Sequence, residues 1–229
     1  MASVETKERI LDAAERLFAE RGFAGTSLRS VTKAAGVNLA AIHYHFGAKE
    51  ALLREVFARR AAPMNQERLR RLDELETAAQ GRGVPLESIL DAFLRPVMHL
   101  QRDLAAEGDV WGRLIGRVYS EPVDLVEAVL KDQFVEVSRR FMDALSRSLA
   151  DMPPAEVHRR MQFVIGVLTH SLTGLHRRAG LPEYGGENVD SDDSFESMLA
   201  FLAAGFRAPL RSNGASVAEE MPVKEASEG

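Results

Sequence analysis

The stretch from Thr26 to Lys49, TSLRSVTKAAGVNLAAIHYHFGAK, constrains the fold of this chain more than any other part of the sequence. Apolar residues recur at helical spacing on both sides of Gly36, and a second glycine, Gly47, follows the second run. Ser, Thr and Asn commonly cap the start of a helix, and glycine commonly follows its end. The pattern therefore predicts two short helices joined by a tight turn, with Thr26 or Ser27 as the first cap.

Two longer helices are predicted to support these short ones, which are too short to be stable alone. Amphipathic spacing predicts a first helix from Thr6 to Arg21. A fourth helix is expected to begin at Lys49, and Pro63 predicts a kink within that helix rather than its end. Residues 1–60 are therefore expected to fold as one small unit.

The second short helix carries an unusual outer surface, made of Ala40, Ala41, His43, Tyr44 and His45. Small side chains let a helix backbone approach base edges closely, and polar rings supply hydrogen bonds to bases or phosphates. Lys49 lies at a helix N-terminus, which suits phosphate. This arrangement indicates a helix-turn-helix that binds DNA.

The distribution of charge supports that interpretation more than the net charge of −5 does. Residues 1–60 hold ten Lys/Arg against seven Asp/Glu, whereas the remainder holds nineteen against twenty-seven. A basic N-terminal unit on an acidic chain suits a protein that binds DNA with only part of its surface.

Residues 9–57, RILDAAERLFAERGFAGTSLRSVTKAAGVNLAAIHYHFGAKEALLREVF, resemble the N-terminal domain of the TetR family of bacterial transcriptional regulators. The resemblance implies an all-α homodimer that binds operator DNA through a three-helix helix-turn-helix domain, followed by a helical ligand-binding and dimerisation domain. It also implies roles for a capping threonine, a tyrosine, a histidine and a phosphate-binding lysine. The candidate DNA-binding residues are Thr26, Ser27, Arg29, Ala40, Ala41, His43, Tyr44, His45 and Lys49. Because the position of His43 varies within the family, His43 is the candidate for base discrimination.

The remaining chain is expected to form a helical domain over residues 61–208 and a disordered polar tail over residues 209–229. Its last two helices carry broad apolar stripes, which suit either a subunit interface or the core of one subunit, and we favour the interface. The candidate interface residues are Met161, Val164, Leu168, Leu172, Leu175, Phe195, Met198, Leu199, Leu202 and Phe206.

The middle helices supply the candidate effector site. Met and aromatic residues at helical spacing are usually core, but an inward arginine would suggest an anionic head group or an internal carboxylate. The N-terminal motif with the segment RLIGRVYSEP is similar to the branch of the family that governs fatty-acid metabolism, which implies acyl-CoA or a fatty acid as effector. A drug-like inducer of an efflux operon is the alternative. The candidate ligand-binding residues are Phe93, Met98, Trp111, Leu114, Ile115, Arg117, Val118, Phe163 and His170.

Other classes of protein find little support in the sequence. Cysteine is absent, which excludes thiol nucleophiles and thiolate metal sites. No P-loop, dinucleotide fingerprint or hydrolase elbow is present, and His43 and His45 diverge by about 200° on a helix. We therefore expect no enzyme activity, no metal and no cofactor. A cytoplasmic protein without a membrane partner is expected, and an all-α interaction module without DNA binding is the other alternative.

Overall fold

The structure, a computed structural model, describes residues 2–105, 110–173 and 192–210. All regular secondary structure in these ranges is helical, which confirms the predicted all-α class. None of the helices there is long and apolar enough to cross a membrane. The helices are α1 (Ala2–Arg21), α2 (Leu28–Ala35), α3 (Leu39–His45), α4 (Lys49–Ala79), α5 (Leu86–Ala105), α6 (Val110–Val118), α7 (Val123–Ser148), α8 (Pro154–Thr173) and α9 (Asp192–Arg207).

Helices α1 to α3 and the first part of α4, up to Arg60, pack into a unit that we call the head. Its core is apolar, and Ile10, Val31, Ile42 and Leu52 are completely buried in it. All four belong to the apolar residues that recur at helical spacing in the sequence. The two short helices therefore pack against α1 and α4, which confirms the prediction that two longer helices support them.

Ion pairs also fix α1 on α4 in the head. Arg59 Nη1 donates to Asp12 Oδ1 at 2.7 Å, and Arg59 Nη2 pairs with the buried carboxylate of Glu15. Arg60 Nε donates to the same Glu15 carboxylate at 3.0 Å. One buried carboxylate thus binds two neighbouring guanidinium groups, which is favourable because a buried charge needs partners.

Helix α4 joins the head to the rest of the molecule without interruption. It contains 31 residues, which corresponds to roughly 45 Å at about 1.5 Å per residue. The helix continues through Pro63 instead of ending there, as predicted, and the Pro63 side chain is exposed. The domain boundary expected at residue 60 therefore falls inside one continuous helix.

The second half of α4 and helices α5 to α9 form a second unit, which we call the body. Its core includes the completely buried Leu72, Leu94 and Leu114. Asn65 Nδ2 of α4 donates to the Gln133 carbonyl of α7 at 2.7 Å. Arg140 of α7 also pairs with Glu76 of α4, at 2.8 Å. These contacts attach α7 to α4 along much of its length.

The apolar stripes of α8 and α9 are buried within the chain, which corrects their assignment to the subunit interface. Both stripes face the body, so they close its own core instead of a contact with a partner. Met198 is half-buried, and Leu175 lies outside the described residues. The predicted interface residues that are at most 8% exposed are Met161, Val164, Leu168, Leu172, Phe195, Leu199, Leu202 and Phe206.

Candidate nucleic-acid interface

Side-chain caps start both helices of the helix-turn-helix. Ser27 Oγ accepts a hydrogen bond from the Ser30 N–H, and Ser30 Oγ accepts one from the Ser27 N–H, both at 3.1 Å. Asn38 Oδ1 accepts from the Ala41 N–H at 2.9 Å. These bonds satisfy N–H groups that the first turn of a helix leaves unpaired. The cap of α2 is therefore Ser27 and not Thr26.

The turn between α2 and α3 requires glycine at position 36 for two reasons. Gly36 has a φ of +64°, in the left-handed region that favours glycine. A Cβ atom there would also lie only 2.8 Å from Arg9 Nη2. Arg9 Nη2 itself donates to the carbonyls of Ala35 and Gly36, at 2.6 and 3.0 Å. This role of Arg9 could not be predicted from the sequence, because the contact joins distant parts of the chain.

The outer face of α3 is exposed, as the spacing of its residues predicted. Tyr44 is 82% exposed, and Ala40 and His43 are exposed with it. Ala41 is half-buried and packs partly against the core, so its methyl group is less available than that of Ala40. Leu39 is also exposed at the start of α3 and was not among the predicted residues. Its apolar side chain can contact a thymine methyl group.

The two histidines of α3 have different surroundings. His43 Nδ1 lies 2.9 Å from the Gly47 carbonyl, and because a carbonyl only accepts, this bond assigns the proton to Nδ1. Nε2 of a neutral His43 is then left as an acceptor. His45 is half-buried, with its ring 5.0 Å from Tyr44 and 5.9 Å from Phe46. His43 is therefore the more accessible of the two.

Thr26 does not belong to the exposed surface, which corrects its assignment as a DNA contact. Its side chain is 1% exposed. Thr26 Oγ1 lies 2.8 Å from the Gly22 carbonyl and 3.1 Å from the Leu17 carbonyl, both at the end of α1. The hydroxyl thus ties the loop before α2 to the end of α1, and this structural role occupies it fully.

Lys49 also has an intramolecular role that the predicted phosphate contact did not include. Its Nζ donates to the carbonyls of Phe23 and Thr26, at 2.9 and 3.0 Å. The ammonium group also lies 4.0 Å from the centre of the Phe23 ring. A lysine has three N–H donors, so one is left for a phosphate. Lys49 therefore holds the loop before α2 in place, whatever else it binds.

Helix α2 supplies two exposed cations, Arg29 and Lys33. They are four residues apart and so lie on one face of the helix. Neither has an ion-pair partner within the described ranges. Arg29 was predicted, whereas Lys33 was missed, although its spacing from Arg29 was a usable signal.

The body contains a second site, a cavity of about 210 Å³ between α4, α5, α6, α7 and α8. Phe93, Trp111 and Ile115 line it, as the ligand prediction proposed. Leu168 and Leu172, which were expected at the subunit interface, line it as well. Its walls are mainly aromatic and aliphatic, which suits an apolar guest.

Six predicted ligand-binding residues do not line this cavity. Phe163 is 64% exposed, and Arg117 and His170 are also exposed, because these residues lie on the outer faces of their helices. Leu114 and Val118 belong to the apolar core beside the cavity. The predicted residues that lie outside the lining of this cavity are Met98, Leu114, Arg117, Val118, Phe163 and His170.

The arginine that lines the cavity is Arg68 of α4, which was not predicted from the sequence. It is 2% exposed. Arg68 Nε donates to the Phe93 carbonyl at 2.7 Å, and Nη1 donates to Asn65 Oδ1 at 3.1 Å. Burial lowers the pKa of Arg68 to about 9, so the guanidinium stays charged at neutral pH. The signal was present, since Met64, Arg68 and Leu72 recur every fourth residue on the buried face.

The head and body meet at the turn after α1. The Phe23 N–H donates to Glu121 Oε1 at 2.8 Å, and Arg117 Nη2 donates to the Glu20 carbonyl at 3.3 Å. A Cβ atom on Gly22 would lie 3.0 Å from Glu121 Oε1, so the approach is close. Helix α6, whose Trp111 and Ile115 line the cavity, therefore ends against the turn that precedes α2.

A capped helix-turn-helix, joined by one long helix to an all-helical body with an internal cavity, is typical of DNA-binding regulators that respond to a ligand. The family model described as "Bacterial regulatory proteins, tetR family" matches residues 10–56. The model "Tetracyclin repressor-like, C-terminal domain" matches residues 91–205, half of the chain. The chain belongs to the TetR family, as its N-terminal motif predicted. This is a family of transcriptional regulators and not of enzymes.

Individual relatives agree with this assignment. The HTH-type transcriptional regulator AcrR of Shigella flexneri is 37% identical over 90 residues, which cover 39% of each chain, so the match spans about two fifths of that relative. NalD of Pseudomonas aeruginosa, described as the secondary repressor of the MexAB-OprM multidrug efflux pump, has a TM-score of 0.59 at 21% identity, covering 89% of this chain and 97% of NalD. FadR of Bacillus subtilis in complex with stearoyl-CoA has a TM-score of 0.54 at 18% identity, covering 86% and 98%. These two structural similarities show the fold alone.

Proposed function

We propose that this chain represses transcription as a homodimer that binds a palindromic operator and is released by a hydrophobic effector. The observation that carries the proposal is the outer face of α3. His43 and Tyr44 are exposed there, on a helix that Asn38 caps and that the Gly36 turn fixes relative to α2. A protein with this site would act in the bacterial cytoplasm, where the chromosome lies.

The exposed residues suggest a division of contacts with DNA. Ala40 and His43 are placed to contact base edges, since both are exposed on α3. Phosphate contacts are assigned to side chains around them, which would position the protein without reading sequence. These are Ser27, Arg29, Lys33, Tyr44, His45 and the third N–H of Lys49. In this proposal residues 1–60 form the DNA-binding unit and residues 61–208 the effector-binding and dimerisation unit.

The dimer is assigned to the outer faces of α8 and α9. Phe163 of α8 and Phe201 of α9 are 64% and 69% exposed. Gly166 and Gly205 lie on the exposed sides of the same helices, with no atom within 4 Å of a Cβ built on them. Exposed aromatic rings beside open glycine backbone suit close packing of a second copy. A twofold pair would place two α3 helices in successive major grooves, about 34 Å apart.

The cavity supports an effector with a substantial apolar part. The FadR structure contains stearoyl-CoA, and NalD represses an efflux pump, so the two folds illustrate the two predicted effector classes. A fatty acid or acyl-CoA is our leading candidate, and a drug-like inducer is the alternative. Either would contact Trp111 and Ile115 of α6.

We assign release from DNA to a movement of α6, because α6 lines the cavity and also contacts the end of α1 in the head. A ligand that moves α6 would disturb the hydrogen bond from the Phe23 N–H to Glu121 and hence the loop that Lys49 holds. The orientation of α2 and α3 in one subunit would then change relative to the other. A ligand shifts this equilibrium only by its difference in affinity for the two states.

Fluorescence anisotropy with labelled DNA from the promoter of its own operon tests the proposal. We expect a salt-sensitive, sequence-specific complex with two chains per operator, and release on addition of effector. His43→Ala should change the preference among operator variants, whereas Arg29→Ala should weaken binding to all of them about equally. The absence of any sequence-specific complex would favour an all-α interaction module instead.

A further inference from the structure

We propose that the cavity takes a small amphipathic carboxylate, whose head group binds Arg68 and whose apolar chain packs on the aromatic wall. This inference rests on the proposed function, since it specifies the chemical class of the effector. It differs from an acyl-CoA site because the negative charge is attached directly to the apolar chain.

The charge of Arg68 is the first argument. Its side chain is 2% exposed and lines the cavity. Its two hydrogen bonds go to neutral acceptors, the Phe93 carbonyl and the Asn65 amide oxygen, and no carboxylate pairs with it in the described part of the chain. A buried charge without a counter-ion is costly, and it is retained only if something compensates for it. A bound anion in the cavity would supply that compensation.

The geometry of Arg68 is the second argument. Asn65 Oδ1 accepts from Nη1, and Asn65 is itself held by its bond to the Gln133 carbonyl at 2.7 Å. The guanidinium also lies 4.0 Å from the centre of the Phe93 ring. Nη2 has no acceptor among the described residues. A guanidinium held in this way, with Nη2 left as a donor, is suited to a charge-assisted hydrogen bond with a carboxylate.

The size of the cavity limits the rest of the ligand. At about 210 Å³ the cavity is smaller than ligand pockets of roughly 300–1,000 Å³, which favours a small ligand. Leu130, Phe134, Ile165 and Leu172 provide apolar walls for a short chain. Octanoate, with seven carbons beyond its carboxylate carbon, is therefore the appropriate probe.

Trp111 provides a reporter for this site. Its ring lines the cavity, and its buried Nε1–H has no acceptor in the part of the chain that the structure describes. Trp111 is also the single tryptophan of the sequence, so its fluorescence reports on this site alone.

Titration of Trp111 fluorescence with three eight-carbon probes tests the inference. We expect saturable binding of octanoate, and binding of 1-octanol that is about tenfold to a hundredfold weaker, because hydrogen bonds to a charged group are lost. Octylamine should bind most weakly, since its charge repels Arg68. Equal binding of octanoate and 1-octanol, or tighter binding of octanoyl-CoA than of octanoate, would overturn the inference.

Two variants locate the binding to Arg68. Arg68→Met should lose the preference for octanoate over 1-octanol, and Asn65→Asp should weaken octanoate binding by placing a carboxylate beside Arg68. Arg70→Met is the matched control, because Arg70 lies on the exposed side of the same helix. An unchanged octanoate affinity in folded Arg68→Met would overturn the inference. If the variants do not fold, the affinities of the unmodified protein for octanoate, 1-octanol and octylamine still test the inference.

Binding is measured without DNA, which separates this inference from the proposed function. If octanoate binds through Arg68 but does not release the operator, the ligand class stands and the release mechanism fails. If an operator complex forms and another effector releases it while octanoate does not bind, the proposed function stands and the ligand class fails.

Discussion

In the head, the buried carboxylate of Glu15 binds both Arg59 and Arg60, whereas in the body the buried guanidinium of Arg68 binds no carboxylate. The arginines of both arrangements lie on α4, whereas Glu15 lies on α1. In the head, the buried charge of Glu15 is therefore neutralised within the protein. The body instead keeps a charge beside a cavity, where a guest can neutralise it. The difference suggests that the head was shaped for rigidity and the body for response to a ligand.

The largest change in stability is expected from removing the buried carboxylate of Glu15 in the head. Glu15→Ala leaves Arg59 and Arg60 without their shared carboxylate, and Glu15 is only 4% exposed. We expect the free energy of unfolding to fall by about 3 kcal/mol, since one partner of a buried pair is removed. Urea denaturation measures this.

The matched control for that substitution is Glu8→Ala. Glu8 also pairs with Arg59, but its side chain is 54% exposed. A loss of at most about 1 kcal/mol is expected for an exposed pair. Equal losses in the two variants would show that burial does not set the strength of these pairs.

In the absence of ligand, Arg68→Met should stabilise the protein, whereas Glu15→Ala should destabilise it. The substitution removes a buried, uncompensated charge and leaves an apolar side chain in an apolar cavity. We expect the free energy of unfolding to rise by about 1–2 kcal/mol, after the loss of the bonds to Phe93 and Asn65. Thermal and urea denaturation give the value. A clear destabilisation would mean that these two bonds outweigh the cost of the buried charge.

Lys49→Met should have smaller effects on two properties, stability and the salt dependence of DNA binding. The substitution keeps an apolar side chain over the Phe23 ring but removes both hydrogen bonds to the loop carbonyls. The free energy of unfolding should fall by about 1 kcal/mol, because Lys49 is half-exposed. If Lys49 also contacts one phosphate, the slope of log affinity against log salt should fall by about one unit. Lys33→Met should leave stability unchanged. A loss of stability with an unchanged slope would limit Lys49 to its structural role.

The helix-turn-helix could be predicted because its determinants are local. The caps at Ser27 and Asn38, the glycine at Gly36 and the inward spacing of Ile42 all act within a few residues. The roles of Thr26, Lys49 and Arg9 could not be predicted in the same way, since each depends on carbonyls elsewhere in the head.

The cavity was predicted only in part, for a related reason. Periodicity identifies the buried face of a helix but not what that face meets. The apolar stripes of α8 and α9 therefore predicted correctly that these faces are buried, but they did not show that the faces pack against the body of the same chain. Phe163, on the opposite face of α8, was predicted to bind ligand although it is exposed. Arg68 lay on a buried face too, but within a segment rich in exposed arginines, such as Arg70.

The smallest change in stability is expected for Glu67, on the surface of α4, which can be compared with the buried Glu15. Arg70 and Arg71 donate hydrogen bonds to Glu67 at 2.7 and 2.6 Å, and these bonds lower the pKa of Glu67 from 4.5 to about 2. Because the folded pKa is the lower one, Glu67 contributes stability above pH 4.5, and this contribution is lost as the pH falls from 4.5 towards 2. Solvent screens the pair, since the Glu67 side chain is 35% exposed.

Glu67→Gln should therefore lower the free energy of unfolding by only about 0.5 kcal/mol at pH 7. The difference from the unmodified protein should shrink in urea denaturation curves at pH 5, 4 and 3. Glu74→Gln is the control, because Glu74 also pairs with Arg70 but is 64% exposed and should have a smaller effect still. Glu67 and Glu15 each bind two arginines of α4, so the comparison holds the number of partners fixed. A loss for Glu67→Gln as large as that for Glu15→Ala would mean that partner number, and not burial, distinguishes the head from the rest of the molecule.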